Sequence, residues 1–99
     1  MKIVISQPMN GLTQEQIETN RATVMKELIA AGHEIVDSYI TVDAPKNMNA
    51  GLFYLGLSLQ IIASQADAVY FLDGWQNARG CWMEFEACKR YGVKTLNTE

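Results

Sequence analysis

The stretch Asp67-Ala-Val-Tyr-Phe-Leu-Asp-Gly-Trp-Gln-Asn-Ala-Arg-Gly-Cys-Trp-Met-Glu84 joins an apolar run to a polar turn and then to a helical pattern. Residues 67–73 have the apolar and aromatic content of a strand, and Asn77 is a residue type that caps helices. The predicted helix continues to about Tyr91, where Gly92 favours its end, and Val93-Lys-Thr-Leu96 predicts another strand. A strand, a helix and a strand in this order are typical of a parallel sheet.

The same alternation extends back to the start of the chain. In order, the sequence predicts a strand at Lys2–Ser6, a helix from Leu12 or Thr13 to Ala31, a strand at His33–Asp37, a loop at Ser38–Gly51 and a helix at Leu52–Gln65. The pattern Thr13-x-x-Gln16 is a capping box, which fixes where the first helix begins. We therefore predict one domain, residues 1–99, folded as a small three-layer α/β/α sandwich with a four-stranded parallel sheet, Rossmann-like or flavodoxin-like.

Charge and composition restrict the partners. The chain of 99 residues has a formal charge of −3, and its eight Lys and Arg residues are scattered. Polymeric nucleic acid is therefore not an expected ligand, although a single nucleotide remains possible. The N-terminus is too short and polar for a signal peptide, and no apolar stretch reaches the roughly 18 residues of a membrane span. We expect a cytoplasmic protein without membrane contact.

Two features of the predicted helices bear on partners and metals. Residues Leu52–Ile62 are apolar around most of the helix, so one side can face the sheet while the other either forms a homo-oligomer contact or is simply an apolar surface. Cys81 and Cys88 lie roughly 10 Å apart along one helix, beyond disulfide reach. With Glu84 they give three candidate ligands and no nearby His, so we expect neither a zinc site nor a cofactor.

Polar residues follow each strand at the edge where parallel sheets bind ligands. Three segments fall there, Ser6–Gly11, Asp37–Tyr39 and Asp73–Gly80, whereas Asp67 begins its strand and belongs at the opposite edge. His33, which directly follows Gly32 away from this edge, is expected to be exposed and not catalytic. The candidate binding residues are therefore Ser6, Gln7, Pro8, Met9, Asn10, Gly74, Trp75, Arg79 and Gly80.

Glu84 is the principal catalytic candidate. Asn77, Gly80 and Glu84 share one helix face, and Gly80 removes a side chain that would block a ligand. A carboxylate in the early turns of a helix, beside Asp73, suits nucleophilic or acid/base work. The alternative is a solvated surface glutamate.

Most other candidates also have two interpretations. Asp73 is either a catalytic acid followed by a turn at Gly74, or Asp73-Gly74 is an ordinary turn without a catalytic role. Trp75 stacks on a base or packs over the end of the sheet, and Arg79 holds a phosphate or forms a surface ion pair. The loop Ser6-Gln-Pro-Met-Asn-Gly11 lacks the glycine pattern of dinucleotide sites and a Walker lysine, so it holds a sugar or base, with Met9 as an apolar contact, or is a plain turn.

Three stretches together resemble the nucleoside 2-deoxyribosyltransferase-like superfamily, and more narrowly its short, phage-associated members of unassigned function. They are residues 1–11, residues 67–75 and the pattern Gly80-x-x-x-Glu84-x-x-x-Cys88 before Gly92. The resemblance spans nearly the whole chain. It implies that Glu84 is the nucleophile that attacks the anomeric carbon, that Ser6–Asn10 line the base and sugar pocket, and that Asp73–Gly80 close it.

The implied activity is cleavage or base exchange at the N-glycosidic bond of a nucleoside or nucleotide, without a cofactor. Ser6 or Arg79 would take the role of holding a 5′-phosphate. Related chains have glycine at the position of Gln7 and an aspartate in the helix before the third strand, where this sequence offers Ser58 and Gln60. These departures motivate two alternatives: a non-catalytic module that binds a nucleotide or small molecule, and an interaction protein that acts through the Leu52–Ile62 helix.

Overall fold

The computed structural model of the chain describes residues 1–38, 40 and 42–99. Its elements, in chain order, are β1 (Lys2–Ser6), α1 (Gln14–Ala30), β2 (Glu34–Ile35), α2 (Ala50–Gln65), β3 (Ala68–Phe71), a 3-10 turn (Trp75–Asn77), α3 (Arg79–Tyr91) and β4 (Lys94–Leu96). Within the described ranges, no helix is long and apolar enough to cross a membrane.

The four strands form one sheet in the order β2-β1-β3-β4, and every neighbouring pair is parallel. This confirms the predicted α/β fold. After β2 the chain crosses back over β1 to reach β3, so the direction of winding reverses between β1 and β3. In sheets of this kind a crevice opens at the carboxyl ends of the two strands that flank the reversal. Ser6, the last residue of β1, is paired with Phe71, the last residue of β3, at that point.

Alternation along β1 assigns each side chain to one of two apolar layers. Ile3 and Ile5 pack with Leu28 of α1, whereas Val4 packs with Ile62 of α2 and Cys88 of α3. Helix α1 therefore covers one face of the sheet, and α2 and α3 cover the other. All three strand residues are buried, at 5% exposure or less, which anchors the end of β1 between the layers.

The helix ends match the sequence patterns at two of three positions. Thr13 caps α1 through the complete capping box with Gln16, and Gly92 ends α3 with a φ of 74°. The prediction that Asn77 caps α3 is wrong. Asn77 instead ends the 3-10 turn, where its amide donates to the carbonyl of Gly74, and Ala78 is the N-cap. The buried Trp75 side chain draws the chain into this extra turn before the helix begins.

Strands β2 and β3 are shorter than predicted. The predicted ranges were 33–37 and 67–73, and the observed strands are Glu34–Ile35 and Ala68–Phe71. Beyond these bounds the ladder with β1 continues through single hydrogen bonds, from the amides of Val36, Asp67 and Leu72 to the carbonyls of Ile3, Lys2 and Ser6, respectively. Strand β2 pairs only with Lys2 and Ile3, so the rest of β1 pairs regularly with β3 alone.

Candidate functional site

Side chains from three elements meet where β1 ends. Glu84 of α3 is 9% exposed, and the hydroxyls of Ser6 on β1 and Ser58 on α2 both act on its carboxyl group. Burial raises the pKa of Glu84 from 4.5 to about 7, because removal from water disfavours the charged form, while the two hydroxyls oppose that rise. The solvated surface position considered for Glu84 is therefore wrong. Perturbation of this kind, in a crevice, marks a functional-site candidate.

Ser6 is turned into the site by the alternation of its strand. It follows Val4 on the face covered by α2 and α3, and it is 3% exposed. Its hydroxyl lies close enough to Glu84 and Cys81 to lower the pKa of both groups, yet it completes no regular hydrogen bond within the described part of the chain. A buried hydroxyl without a partner costs about 1–3 kcal/mol. The Ser6 hydroxyl is itself shielded from solvent, so it forms part of the buried surroundings of Glu84.

The two cysteines flank Glu84 along α3. Cys81 and Cys88 are buried free thiols, and burial raises the pKa of each, to about 11 for Cys88, with the charge of Glu84 adding to the rise. Both thiols are consequently protonated at neutral pH and are poor nucleophiles. Among the residues that the structure describes, no three His, Cys, Asp or Glu side chains are grouped to hold a metal ion.

A cavity of about 340 Å³ opens between the first turns of α2 and α3. Its lining residues are Asn49, Gly51, Leu52, Leu55, Arg79, Gly80 and Met83. Ser58 follows Leu55 by three residues and Glu84 follows Gly80 by four, so both lie one turn deeper on the same helix faces. Gly80 borders this space, and a Cβ there would meet nothing within 4 Å. Glu84 and Ser58 do not line this cavity, which we call the entrance cavity because it opens at the start of the groove between α2 and α3.

Arg79 stands at this entrance. One guanidinium nitrogen lies 3.5 Å from the position that a Cβ on Gly51 would occupy, which places Arg79 against the start of α2. Arg79 is exposed and forms no salt bridge within the described ranges, contrary to the surface ion pair considered for it. The N-cap of α3, Ala78, supplies no side-chain acceptor, so no side chain caps the first amides of α3 beside this cation. Both features favour an anion.

The residues after β1 divide between two faces. Gln7 is 8% exposed and faces α1, where its amide nitrogen donates to the carbonyl of Ile17 at 3.1 Å and Arg21 approaches its oxygen at 3.5 Å. Gln7 therefore points away from the crevice that Ser6 faces. Pro8 meets the next loop, with its Cγ 3.8 Å from the Cβ position of Gly74.

Met9 and Asn10, the last residues of the candidate loop, are exposed beyond Pro8. Met9 keeps 54% of its surface accessible, which leaves its thioether free to contact a ligand at the rim. The neighbouring loop residues Pro8 and Leu12 line the cavity on the α1 side, and no contact of Met9 or Asn10 with Glu84 is seen within the described residues.

Asp73 does not join Glu84, contrary to the predicted proximity. Its carboxylate accepts a hydrogen bond from the Asn97 amide at 3.1 Å, and it lines a separate cavity of about 390 Å³ with Val24 and Glu27 of α1. The Gly74 turn, with a φ of 89°, leads the chain away after Asp73 and leaves this side chain on the α1 side. Glu84 is consequently the only carboxylate of the crevice among the described residues.

Trp75 is a packing residue rather than a platform for a base. It is 4% exposed, and its ring stacks on Trp82 at 5.5 Å and packs against Phe85 at 4.6 Å. No ring face is left for a ligand. This aromatic cluster, which also contains Phe71, holds the start of α3 against the end of β3.

Sequence reasoning missed the contact between Ser58 and Glu84. Ser58 interrupts an apolar run, Leu57-Ser58-Leu59, and a polar residue within such a run is the pattern that could have marked it. His33 is half-buried rather than exposed, and its Nδ1 lies 3.2 Å from the N-terminal amine of Met1, at the opposite edge of the sheet. Tyr39, predicted at the carboxyl edge, lies outside the described residues.

Comparison with known proteins gives one match. A family model described as Domain of unknown function (DUF4406) matches residues 1–97, so the chain belongs to that family. Neither a search of curated proteins nor a search of solved structures found a match.

Proposed function

We propose that this member of the DUF4406 family cleaves or exchanges the N-glycosidic bond of a nucleoside or nucleotide, with Glu84 as the nucleophile. The observation that carries the proposal is the burial of the Glu84 carboxyl group between the Ser6 and Ser58 hydroxyls, where the sheet changes its winding direction. The resemblance to nucleoside 2-deoxyribosyltransferase-like proteins agrees with this role for Glu84.

The reaction follows retaining glycosidase chemistry. A carboxylate oxygen of Glu84 attacks the anomeric carbon, the C–N bond breaks, and its electron pair leaves with the base. The resulting glycosyl ester is then attacked at the same carbon by water or by a second base, and the carboxylate is released. Ser6 and Ser58 favour the ionised form of Glu84, which is the form that attacks.

The remaining polar groups suit the rest of a nucleotide. The unpartnered Ser6 hydroxyl suits a sugar hydroxyl. Arg79 and the uncapped first amides of α3 suit a 5′-phosphate at the entrance, because a guanidinium binds phosphate oxygens in pairs. Each step uses side chains of the protein alone, so the proposal needs no cofactor.

Two further parts of the proposal concern assembly and location. The protein forms a homo-oligomer through residues 52–62, supported by Leu52, which is 65% exposed beside the entrance cavity. It works in the cytoplasm, supported by two buried cysteines that remain free thiols.

The activity is tested by measuring release of free base from nucleosides, deoxynucleosides and their 5′-monophosphates, with both neutral and N-alkylated bases. The expected result is base release by the wild type and none above background by Glu84→Gln, with the fold of both checked by circular dichroism. Absence of release across the whole panel would remove the enzymatic proposal.

A second candidate function is binding without turnover. It is favoured by the presence of one carboxyl group in the described crevice, where glycosidases commonly use two. Ligand-dependent thermal stabilisation without product would support it, because a ligand that binds only the native state raises its stability.

A further inference from the structure

The crevice around Glu84 contains few groups able to deliver a proton to a departing base. The titratable side chains beside it on α3 are Cys81 and Cys88, whereas β1 and α2 present the hydroxyls of Ser6 and Ser58. Burial raises the pKa of both thiols, which makes them weak acids at neutral pH. Asp73 lines the cavity on the α1 side, and an arginine such as Arg79 does not release its proton.

This composition limits the leaving group. A neutral purine or pyrimidine departs with a negative charge unless an acid protonates it, and such an acid is worth about 10²–10⁴-fold in rate. A base that already carries a fixed positive charge on the ring departs as a neutral molecule. In the described crevice Glu84 attacks the sugar, and no other carboxyl group is present to donate a proton. Only a base that already carries a positive charge suits such a site.

The charge balance of the crevice points in the same direction. Glu84 must be ionised to attack, yet it is 9% exposed and no Lys or Arg among the described residues contributes to its pKa. A buried carboxylate without a cationic partner is destabilised. A cationic ring next to the sugar would provide the missing opposite charge during binding, and that charge is neutralised only when the C–N bond breaks.

We propose that the substrate is a nucleoside or nucleotide whose base carries a fixed positive charge, an N-ribosylpyridinium or an N-alkylated purine. This inference rests on the proposed function. A Glu84 oxygen bonds to the anomeric carbon while the C–N electron pair moves onto the ring nitrogen and cancels its charge. Water then bonds to the same carbon, its proton passes to solvent, and the Glu84 carboxylate is restored.

The test compares guanosine with 7-methylguanosine, which share the sugar and nearly the same ring. We expect kcat/KM for 7-methylguanosine to exceed that for guanosine by about 100-fold or more, the range that a missing general acid produces. Rates are taken above the Glu84→Gln background, and Glu86→Gln, a change at a partly exposed ion pair on the same helix, serves as the control with wild-type rates.

A pH profile with nicotinamide riboside gives an independent readout, because its pyridinium charge does not titrate. We expect kcat/KM to rise with the ionisation of Glu84, whose pKa is about 7, and to stay level above it. A rate that falls above that pH would make Glu84 an acid and overturn the inference. Comparable cleavage of guanosine would overturn the inference but leave the proposed function standing, whereas no cleavage of any of these substrates would remove both.

Discussion

Ser58 on α2 and Glu84 on α3 face each other across the groove between the two helices, and the serine hydroxyl favours the ionised form of the buried carboxyl group. Each residue lies about one helical turn beyond a residue that lines the entrance cavity, Leu55 for Ser58 and Gly80 for Glu84. The position of Glu84 is set by the packing of α3 on the sheet, while its pKa depends partly on a residue from a different helix. Substitution of Glu84 therefore tests the effect of the carboxyl group on stability, and substitution of Ser58 tests its protonation.

Replacement of Glu84 by Gln should stabilise the protein in a pH-dependent way. The folded-state pKa of Glu84 is raised from 4.5 to about 7, so the carboxyl group stabilises the fold below pH 4.5, and this contribution is lost as the pH rises to 7. A shift of this size corresponds to about 3 kcal/mol. The unfolding free energy of Glu84→Gln minus that of the wild type should therefore increase by that amount between pH 4.5 and pH 8, measured by urea denaturation.

The control for this experiment is Glu86→Gln. Glu86 lies on the same helix but forms a surface ion pair with Arg90 at 3.2 Å. Such a pair contributes about 0.3–0.5 kcal/mol, so the variant should follow the wild-type pH dependence closely. A Glu84→Gln curve parallel to the wild type would show that the carboxyl group is solvated in solution.

Ser58→Ala should move the pH dependence of activity upward. Loss of the hydroxyl removes one of the two groups that lower the pKa of Glu84, so less carboxylate is present at pH 7. The midpoint of the kcat/KM profile should shift to higher pH while the rate on the alkaline plateau is retained. Ser64→Ala serves as the comparison, since that hydroxyl is bonded to the Gln60 carbonyl of its own helix. An equal shift in both variants would contradict a specific role for Ser58.

The fold was predictable from the sequence because local patterns and global topology agree. The capping box at Thr13 and the helix end at Gly92 are set by side-chain and backbone preferences within a few residues. The start of α3 was not predictable in the same way. Burial of Trp75 depends on its contacts with Phe71, Trp82 and Phe85, and this tertiary packing overrides the capping preference of Asn77.

The candidate site was predictable only in part for a related reason. Glu84 and Gly80 share a face of one helix, which spacing alone reveals. The positions of Asp73 and Ser58 could not be predicted without knowing which face of the sheet each side chain occupies. Asp73 lies in the turn after β3, where no strand alternation fixes that face. The Gly74 turn leaves Asp73 on the α1 side, and the crossing of α2 over β1 brings Ser58 to Glu84.

Adjacent residues Ser6 and Gln7 should respond oppositely to replacement by Ala. Gln7 is bonded to the Ile17 carbonyl on the α1 side, so Gln7→Ala should lower the unfolding free energy by about 1 kcal/mol and leave activity nearly unchanged. The Ser6 hydroxyl completes no regular hydrogen bond in the described structure, so Ser6→Ala should change stability little, but it should reduce activity because one of the two hydroxyls that favour ionised Glu84 is lost. Thermal unfolding and base release measured on both variants check this. Loss of activity in Gln7→Ala at full stability would place Gln7 in the site instead.

Two glycine substitutions should also differ in sign. Gly92 has a φ of 74°, where a side chain costs about 1–2 kcal/mol, so Gly92→Ala should destabilise the protein. Gly56 lies inside α2 with nothing within 4 Å of a Cβ, so Gly56→Ala should stabilise it by about 0.5–1 kcal/mol. Denaturant midpoints for the two variants test the positions directly. A destabilised Gly56→Ala would mean that another surface packs against that side of α2 in solution.

The exposed side of α2 is tested by Leu52→Glu. Leu52 is 65% exposed, and burial of a leucine side chain is worth about 1.5–3 kcal/mol, so a charge there should raise the dissociation constant of a symmetric oligomer by about 100-fold or more. Light scattering across a concentration series measures the change. Tyr91→Glu is the matched control, because Tyr91 is 86% exposed at the far end of α3. A wild type that stays monomeric at every concentration would contradict the proposed oligomer, and equal dissociation by both variants would indicate a general effect of charge.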